Sequence, residues 1–144
     1  MKLNQFTDYG LRVLMYLAHK PDEPAATISE LSDTFAISRN HLVKVVQFLS
    51  NHKVLRARRG KGGGLSLSAP PESFKVGQLV ALLEQSDCVI DCGQRDCALQ
   101  GNCLLKYALS NAYKEFIRFL DNYTLKDVAG GRTESILREL MAKE

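Results

Sequence analysis

The sequence predicts a mainly α fold with a small β wing: a winged helix-turn-helix domain followed by a long C-terminal dimerisation helix. Three observations predict it. Two capped amphipathic stretches flank the short turn Ala36-Ile37-Ser38, the basic glycine-tipped stretch "VLRARRGKGGGLSLS" comes next, and an apolar-striped segment spans about Cys103 to Tyr123. A chain of 144 residues suits one domain or two very small ones, and 45% hydrophobic content can fill a core. We expect residues 1–70 to form the winged helix-turn-helix region and 71–130 a helix, a cysteine loop and the dimerisation helix, with 131–144 as a tail.

The first helix is expected over about Asn4 to His19. Leu11, Leu14, Met15 and Ala18 recur at helical spacing, while Tyr9, Val13, Tyr16 and Leu17 add apolar area on other faces, so it should be buried on more than one side. Pro21 and Pro24 mark a loop. Thr27 and Glu30 make a capping box for the second helix, whose buried stripe is Ile28, Leu31 and Phe35. Ser38 can cap the third helix, which buries Leu42, Val45, Val46 and Leu49. A short helix, a tight turn and a second helix with polar and basic residues in its first turn is the helix-turn-helix layout.

In such a helix the N-terminal residues meet base edges. Ser38, Arg39, Asn40, His41 and Lys44 are therefore candidate DNA contacts: Arg39 and Lys44 for phosphate or guanine, Asn40 for adenine, His41 as a general donor. The plainer alternative is a helical hairpin with a solvated outer face. The segment after the third helix argues against it. Val54–Arg59 and Leu65–Ser68 read as strands, Arg56, Arg58, Arg59 and Lys61 crowd the hairpin, and the tip, with Gly62, allows close backbone approach. That is a wing, suited to lie along the phosphates or enter the minor groove. Charge agrees: residues 1–70 carry a net +5 and 71–144 a net −2. The glycines do not form a P-loop, because no Lys-Ser/Thr pair and no helix come after them.

Pro70 and Pro71 break the chain, and a helix is expected from about Phe74 to Gln85 with Val76, Leu79, Val80 and Leu83 on one face. In the last long helix Leu105, Leu109, Ala112, Phe116, Phe119 and Tyr123 alternate spacings of four and three, widened by Tyr113, Ile117 and Leu120. One side can face the chain's own core and the other a second copy. A homodimer places two recognition helices about one DNA turn apart, roughly 34 Å, and suits a near-palindromic double-stranded operator. "GGRTESILRELMAKE" looks like a loosely attached helical tail.

The four cysteines are gathered as Cys88-x3-Cys92-x4-Cys97-x5-Cys103. The N-terminus lacks a signal peptide's pattern and no uncharged stretch approaches a membrane span, so a cytoplasmic location without a disulfide framework is expected. There, clustered cysteines point to metal or redox chemistry. Structural zinc sites favour paired C-x2–4-C motifs set apart, and the histidines His19, His41 and His52 all lie in the front half. Thiolates in one compact run suit an iron–sulfur cluster, with Gly93 and Gly101 for tight wrapping and Cys103 at a helix start, where the dipole favours negative charge. A zinc site and a thiol–disulfide switch stay open as alternatives. No nucleophile–base or carboxylate pair demands catalysis, so we expect no enzyme; a cluster-bearing electron carrier would leave the wing unexplained.

Taken together, "LNQFTDYGLRVLMYLA", "ISRNHLVKVV", "RGKGGGLSLS", the triad Cys92, Cys97 and Cys103, and "LDNYTLKDV" closely resemble the NsrR family of nitric-oxide-sensitive repressors, relatives of the iron–sulfur regulators called IscR. The likeness runs from about residue 3 to 128. It implies a homodimeric winged-helix repressor with one iron–sulfur cluster per subunit, losing DNA when nitric oxide attacks the cluster and so derepressing nitrosative-stress genes. It also implies Cys92, Cys97 and Cys103 as ligands and, in a 4Fe–4S form, Asp8 of the other subunit as the fourth. Cys88 is an additional thiol close enough to compete for that place. The IscR pattern has a histidine three residues after the last cysteine, where this chain has Lys106, which disfavours a 2Fe–2S site of that kind without removing it. A regulator responding to cluster status or oxidants, IscR-like, is the alternative function, as is a zinc-binding regulator.

Overall fold

The computed structural model describes residues 1–20, 24–93 and 97–143. Pro21, one of the expected loop prolines, and residues 94–96 of the cysteine loop lie outside the described residues. The fold is mainly helical with a two-stranded antiparallel wing, as expected.

Helix α1 (Gln5–Leu17) is capped by Asn4, whose side chain accepts the Thr7 N–H at 2.7 Å. Its deepest residues are Val13, Leu14, Tyr16 and Leu17. Leu11, Met15 and Ala18, read as part of the main stripe, are only partly buried against that core. Neighbours on several sides shift the buried face: α1 packs on the recognition helix, on the fourth helix and on a short sixth helix.

Helix α2 (Ile28–Phe35) starts at the capping box of Thr27 and Glu30. The turn passes through Ala36 at φ 51°, braced where Ile37 N–H donates to the Ser32 carbonyl and the Ser32 hydroxyl returns a bond to the Ile37 carbonyl at 2.7 Å. Ser38 then caps α3 (Arg39–Asn51) by accepting the His41 N–H, and Leu42, Val45, Val46 and Leu49 are buried as their spacing required. Strands β1 (Leu55–Arg58) and β2 (Gly64–Leu67) pair from Leu55↔Leu67 to Arg58↔Gly64. Gly60 (φ 93°) and Gly62 (φ 77°) turn the tip through left-handed conformations that a side chain would strain. Leu65 N–H donates to the Ala26 carbonyl at 2.7 Å and ties the wing to the entry of α2.

A 3-10 turn at Pro71–Ser73 leads into α4 (Val76–Glu84), which buries Val76, Leu79, Val80 and Leu83. Helix α5 (Leu104–Leu120) stops three residues short of the expected Tyr123 because the chain turns through 121–123 into α6 (Leu125–Ala129). That short helix was not anticipated. Thr124 and Asp127 build its capping box, and Leu125 and Ala129 are fully buried. Helix α7 (Arg132–Ala142) anchors the tail more firmly than expected, since Leu137 is only 4% exposed in the core cluster. No helix among the described residues is long and apolar enough to cross a membrane.

One polar network fixes α1 on the helix-turn-helix. Within a nearly buried pocket, Glu30 accepts the Tyr16 phenol at 2.5 Å and the Lys20 ammonium at 2.6 Å. Burial pushes the Glu30 carboxyl up, but the bonds from Lys20 and Tyr16 and the Lys20 charge outweigh it, holding it below its ordinary 4.5. A lowered folded-state value contributes stability above the unfolded-state value, lost as pH falls through the folded one. Glu30→Gln should cost about 2 kcal/mol at neutral pH. Its stability should then fall less than that of the wild type as pH drops below 4.5, as followed by thermal unfolding; parallel profiles would contradict this role.

Candidate nucleic-acid interface and thiol site

The expected DNA-contacting residues Ser38, Arg39, Asn40, His41, Lys44, Arg58, Arg59, Lys61 and Gly62 are all exposed. They fall on two adjoining elements. Arg39 and Arg58 line one groove of about 360 Å3, with the start of α2 and the wing as its walls. Arg58, Arg59, Lys61 and Gly62 line a neighbouring cavity of about 590 Å3 beside Pro24. Arg39 at the start of α3 and the wing therefore line adjoining grooves and form one basic surface, of the charge that attracts a phosphate backbone irrespective of sequence.

Two features of this surface were not read from the sequence. The Arg39 guanidinium donates to the Ser29 hydroxyl of α2, which pre-sets its direction. Arg56, counted among the wing's basic residues, instead spends its guanidinium on the Leu67 carbonyl across the hairpin, at 3.0 and 3.3 Å. Neither pairing carries a local sequence signal, because the partners are ten and eleven residues away. His41 also stacks on Tyr9 of α1, ring centroids 5.8 Å apart, and Phe6 meets Phe48 edge-on at 5.3 Å. The recognition helix is thus braced by α1 along its first and third turns.

The thiol site follows α4. Helix α4 ends at Gln85 in a left-handed cap (φ 53°), and the chain then winds through the cysteines to Cys103, the N-cap residue of α5. An Asx turn, Gly93 N–H to Asp91 Oδ1 at 2.9 Å, and a turn from Gln100 N–H to the Cys97 carbonyl at 3.0 Å set its course. Cys88, Cys92, Cys97 and Cys103 are free thiols, and all line one cavity of about 460 Å3. Val89, Ile90, Leu99, Leu105 and Leu109 form its apolar wall, and Lys106 lies at its edge.

Helix α4 is tied to α5 near its start and just past its end, where the loop begins. Asp121 Oδ1 accepts the Gln78 N–H at 3.0 Å, and Gly77 lies so close to α5 that a Cβ there would overlap the Ile117 carbonyl and the Asp121 carboxylate. Farther along, the Tyr113 phenol donates to the Ser86 carbonyl at 3.0 Å. Burial pushes the Tyr113 phenol up, and the negative charges of Glu84 and Asp87 add to it, so it stays a donor. Asn4 N–H, at the cap of α1, donates to Glu84 Oε1 at 2.8 Å.

Asp8 is not on the cavity of its own chain. Its carboxylate is engaged by Arg12 through two 2.9 Å contacts, the i, i+4 pair the sequence allows. Among the described residues no three histidine, cysteine, aspartate or glutamate side chains converge on one metal ion. The thiols share a cavity rather than a point. Its size and its four thiols, which share the cavity with Asp87 and Asp91, fit a multi-atom sulfur-bridged cluster, whose ligands stand apart from one another.

The family comparison identifies the chain: a model described as "Rrf2: Iron-dependent Transcriptional regulator" matches residues 3–131. The chain belongs to the Rrf2 family. Among solved structures, this Rrf2 protein is similar to CymR of B. subtilis, the global cysteine regulator, at 26% identity over 90% of this chain and 96% of that one, with a TM-score of 0.67. It is also similar to the oxidized form of Staphylococcus aureus CymR at 25% identity, covering 91% and 98% with a TM-score of 0.72. T. potens IscR shares the fold at 20% identity, covering 89% and 85% with a TM-score of 0.68.

The surface makes a divided prediction for DNA affinity. Arg59→Ala and Lys61→Ala should weaken binding uniformly across sequences and each lower the log–log salt slope by about one. Asn40→Ala should cost about 1–3 kcal/mol on the preferred site and relax discrimination at one base pair. Titrations on a preferred and a scrambled duplex at several salt concentrations separate these effects; identical behaviour of the three variants would contradict it.

Proposed function

We propose that this Rrf2-family transcriptional regulator is a homodimeric DNA-binding repressor that senses nitric oxide through an iron–sulfur cluster and so derepresses nitrosative-stress genes. One observation carries the reading: four free thiols on a single cavity, inserted between the helix that packs on the DNA-binding half and the helix that presents an unpartnered apolar face. The motif resemblance to the NsrR family supports nitric oxide as the signal. Cys92, Cys97 and Cys103 would hold a cluster, 4Fe–4S in preference to 2Fe–2S because Lys106 is no ligand. When bound, that group supplies iron that nitric oxide attacks.

The chain's own residues do the rest. Tyr113 anchors the loop to α5, and Asn4 and Glu84 join the end of α4 to the start of α1. Tyr9 and Phe6 carry α1 onto the recognition helix. Helix α5 buries Tyr113 inward while Leu104, Leu105, Tyr107 and Phe119 are exposed, Leu104 at 83%. A second copy covering that face removes it from water and sets the spacing of the two recognition helices.

A thiol-redox regulator is the second reading. It is favoured by the exposure of Cys88 and Cys97 and by the likeness to a CymR solved in an oxidized form. One anaerobic preparation separates the two. The cluster reading predicts a brown protein with iron and acid-labile sulfide, whose operator affinity falls a few hundredfold on nitric oxide, about 3–4 kcal/mol. A colourless protein that releases DNA on oxidant but not on nitric oxide would contradict it and leave the thiol reading.

A further inference from the structure

We propose that Val43 is a specificity-determining residue of the DNA surface, one that recognises thymine by its C5 methyl group in the major groove. This rests on the reading of α3 as the helix that enters that groove.

Helix α3 turns its apolar side chains inward with one exception. Leu42, Val45, Val46 and Leu49 are buried, and Phe48 packs against the core. Val43 is 45% exposed. Asn40 and Gln47, three residues before it and four after, lie beside it on the exposed face. Arg39, four residues before, has a stem long enough to cover Val43, but its guanidinium is drawn to the Ser29 hydroxyl of α2. His41 is turned to Tyr9 of α1. The chain therefore leaves Val43 open to whatever approaches α3 from outside.

A single exposed apolar side chain is ordinary on a protein surface. Position gives this one a use. The base edges in the major groove carry donors, acceptors and one apolar group, the thymine methyl. Valine makes no hydrogen bond, so that methyl is the feature of a base edge it can favour. The amino group of cytosine or adenine pressed against it would lose water and gain no partner. Asn40 can take adenine through paired hydrogen bonds. Side chains three apart on a helix stand about 5–6 Å from each other, and bases rise about 3.4 Å along a strand. The two residues therefore address base pairs one or two steps apart.

The test uses the full-length protein, prepared anaerobically, and the duplex it selects from a random-sequence pool. Each thymine is replaced in turn by deoxyuridine, which keeps the pairing and the O4 acceptor and lacks only the methyl. For the wild type, one such replacement in each half-site should weaken binding about three- to fivefold, the scale of one methyl group left in water. It should fall within two base pairs of the position whose discrimination Asn40→Ala relaxes. Val43→Ala should bind the thymine duplex more weakly by a similar factor and no longer distinguish it from the deoxyuridine duplex. Lys61→Ala, on the wing, should keep the full difference, because separated contacts add independently. Val43 is exposed and alanine is the better helix former, so the variant folds, which the unfolding midpoint verifies. A wild type indifferent to every thymine methyl overturns the proposal, as does a Val43→Ala protein that keeps the deoxyuridine penalty. If Asn40→Ala and Lys44→Ala also bind the selected duplex as the wild type does, the placing of α3 in the groove fails as well.

Discussion

The close crossing of α4 on α5 is the contact on which the other parts depend. Gly77 lets the Ile117 carbonyl and the Asp121 carboxylate approach the start of α4, and Tyr113 grips Ser86 just past its end. Holding both ends of the thiol loop on one helix pair removes part of the chain entropy that drawing its thiols together would otherwise cost. The same pair carries the outward apolar face of α5, so the thiol loop and the surface open to a second copy share one mechanical element.

The DNA-binding half is built with the opposite emphasis. Its core is apolar and continuous from α1 through α3 to the wing, and a nearly buried ionic network joins Tyr16, Lys20 and Glu30. Breaking one partner there would strand a charge, so the network holds α1 and α2 in one register. Helix α1 therefore stands between a rigid reading head and a four-thiol loop, touching the first through Tyr9 and the second through Asn4. A shift of α4 cannot be absorbed without moving α1, because close-packed interiors transmit displacement.

Locally encoded features were legible in the sequence. Thr27 with Glu30 and Ser38 cap the helices they were expected to cap, and the spacing of Leu42, Val45, Val46 and Leu49 marked the buried face of α3. The wing was legible because glycines, arginines and short apolar strands each have a physical reason to be there. Helix α6 was missed although Thr124 and Asp127 form a capping box, since the box closes a five-residue helix too short to show periodicity. Leu137 lies in a tail that reads as polar, and one buried leucine in eleven helical residues gives little stripe. The contacts that organise the thiol loop were invisible for a different reason: Tyr113 and Ser86 are 27 residues apart, and Asn4 and Glu84 80 apart. Such pairs are properties of the fold, which no local pattern encodes.

We propose that the state of the thiol loop is passed to the DNA surface through its anchorage on α5. Tyr113→Phe removes a single hydroxyl from that anchorage and leaves the ring in place, at a stability cost of about 1 kcal/mol. The direct measurement is the ratio of operator affinities between iron-loaded and iron-stripped protein, compared for the wild type and this variant. The expected ratio is several-fold smaller in the variant, with the stripped proteins binding alike. An unchanged ratio would contradict it.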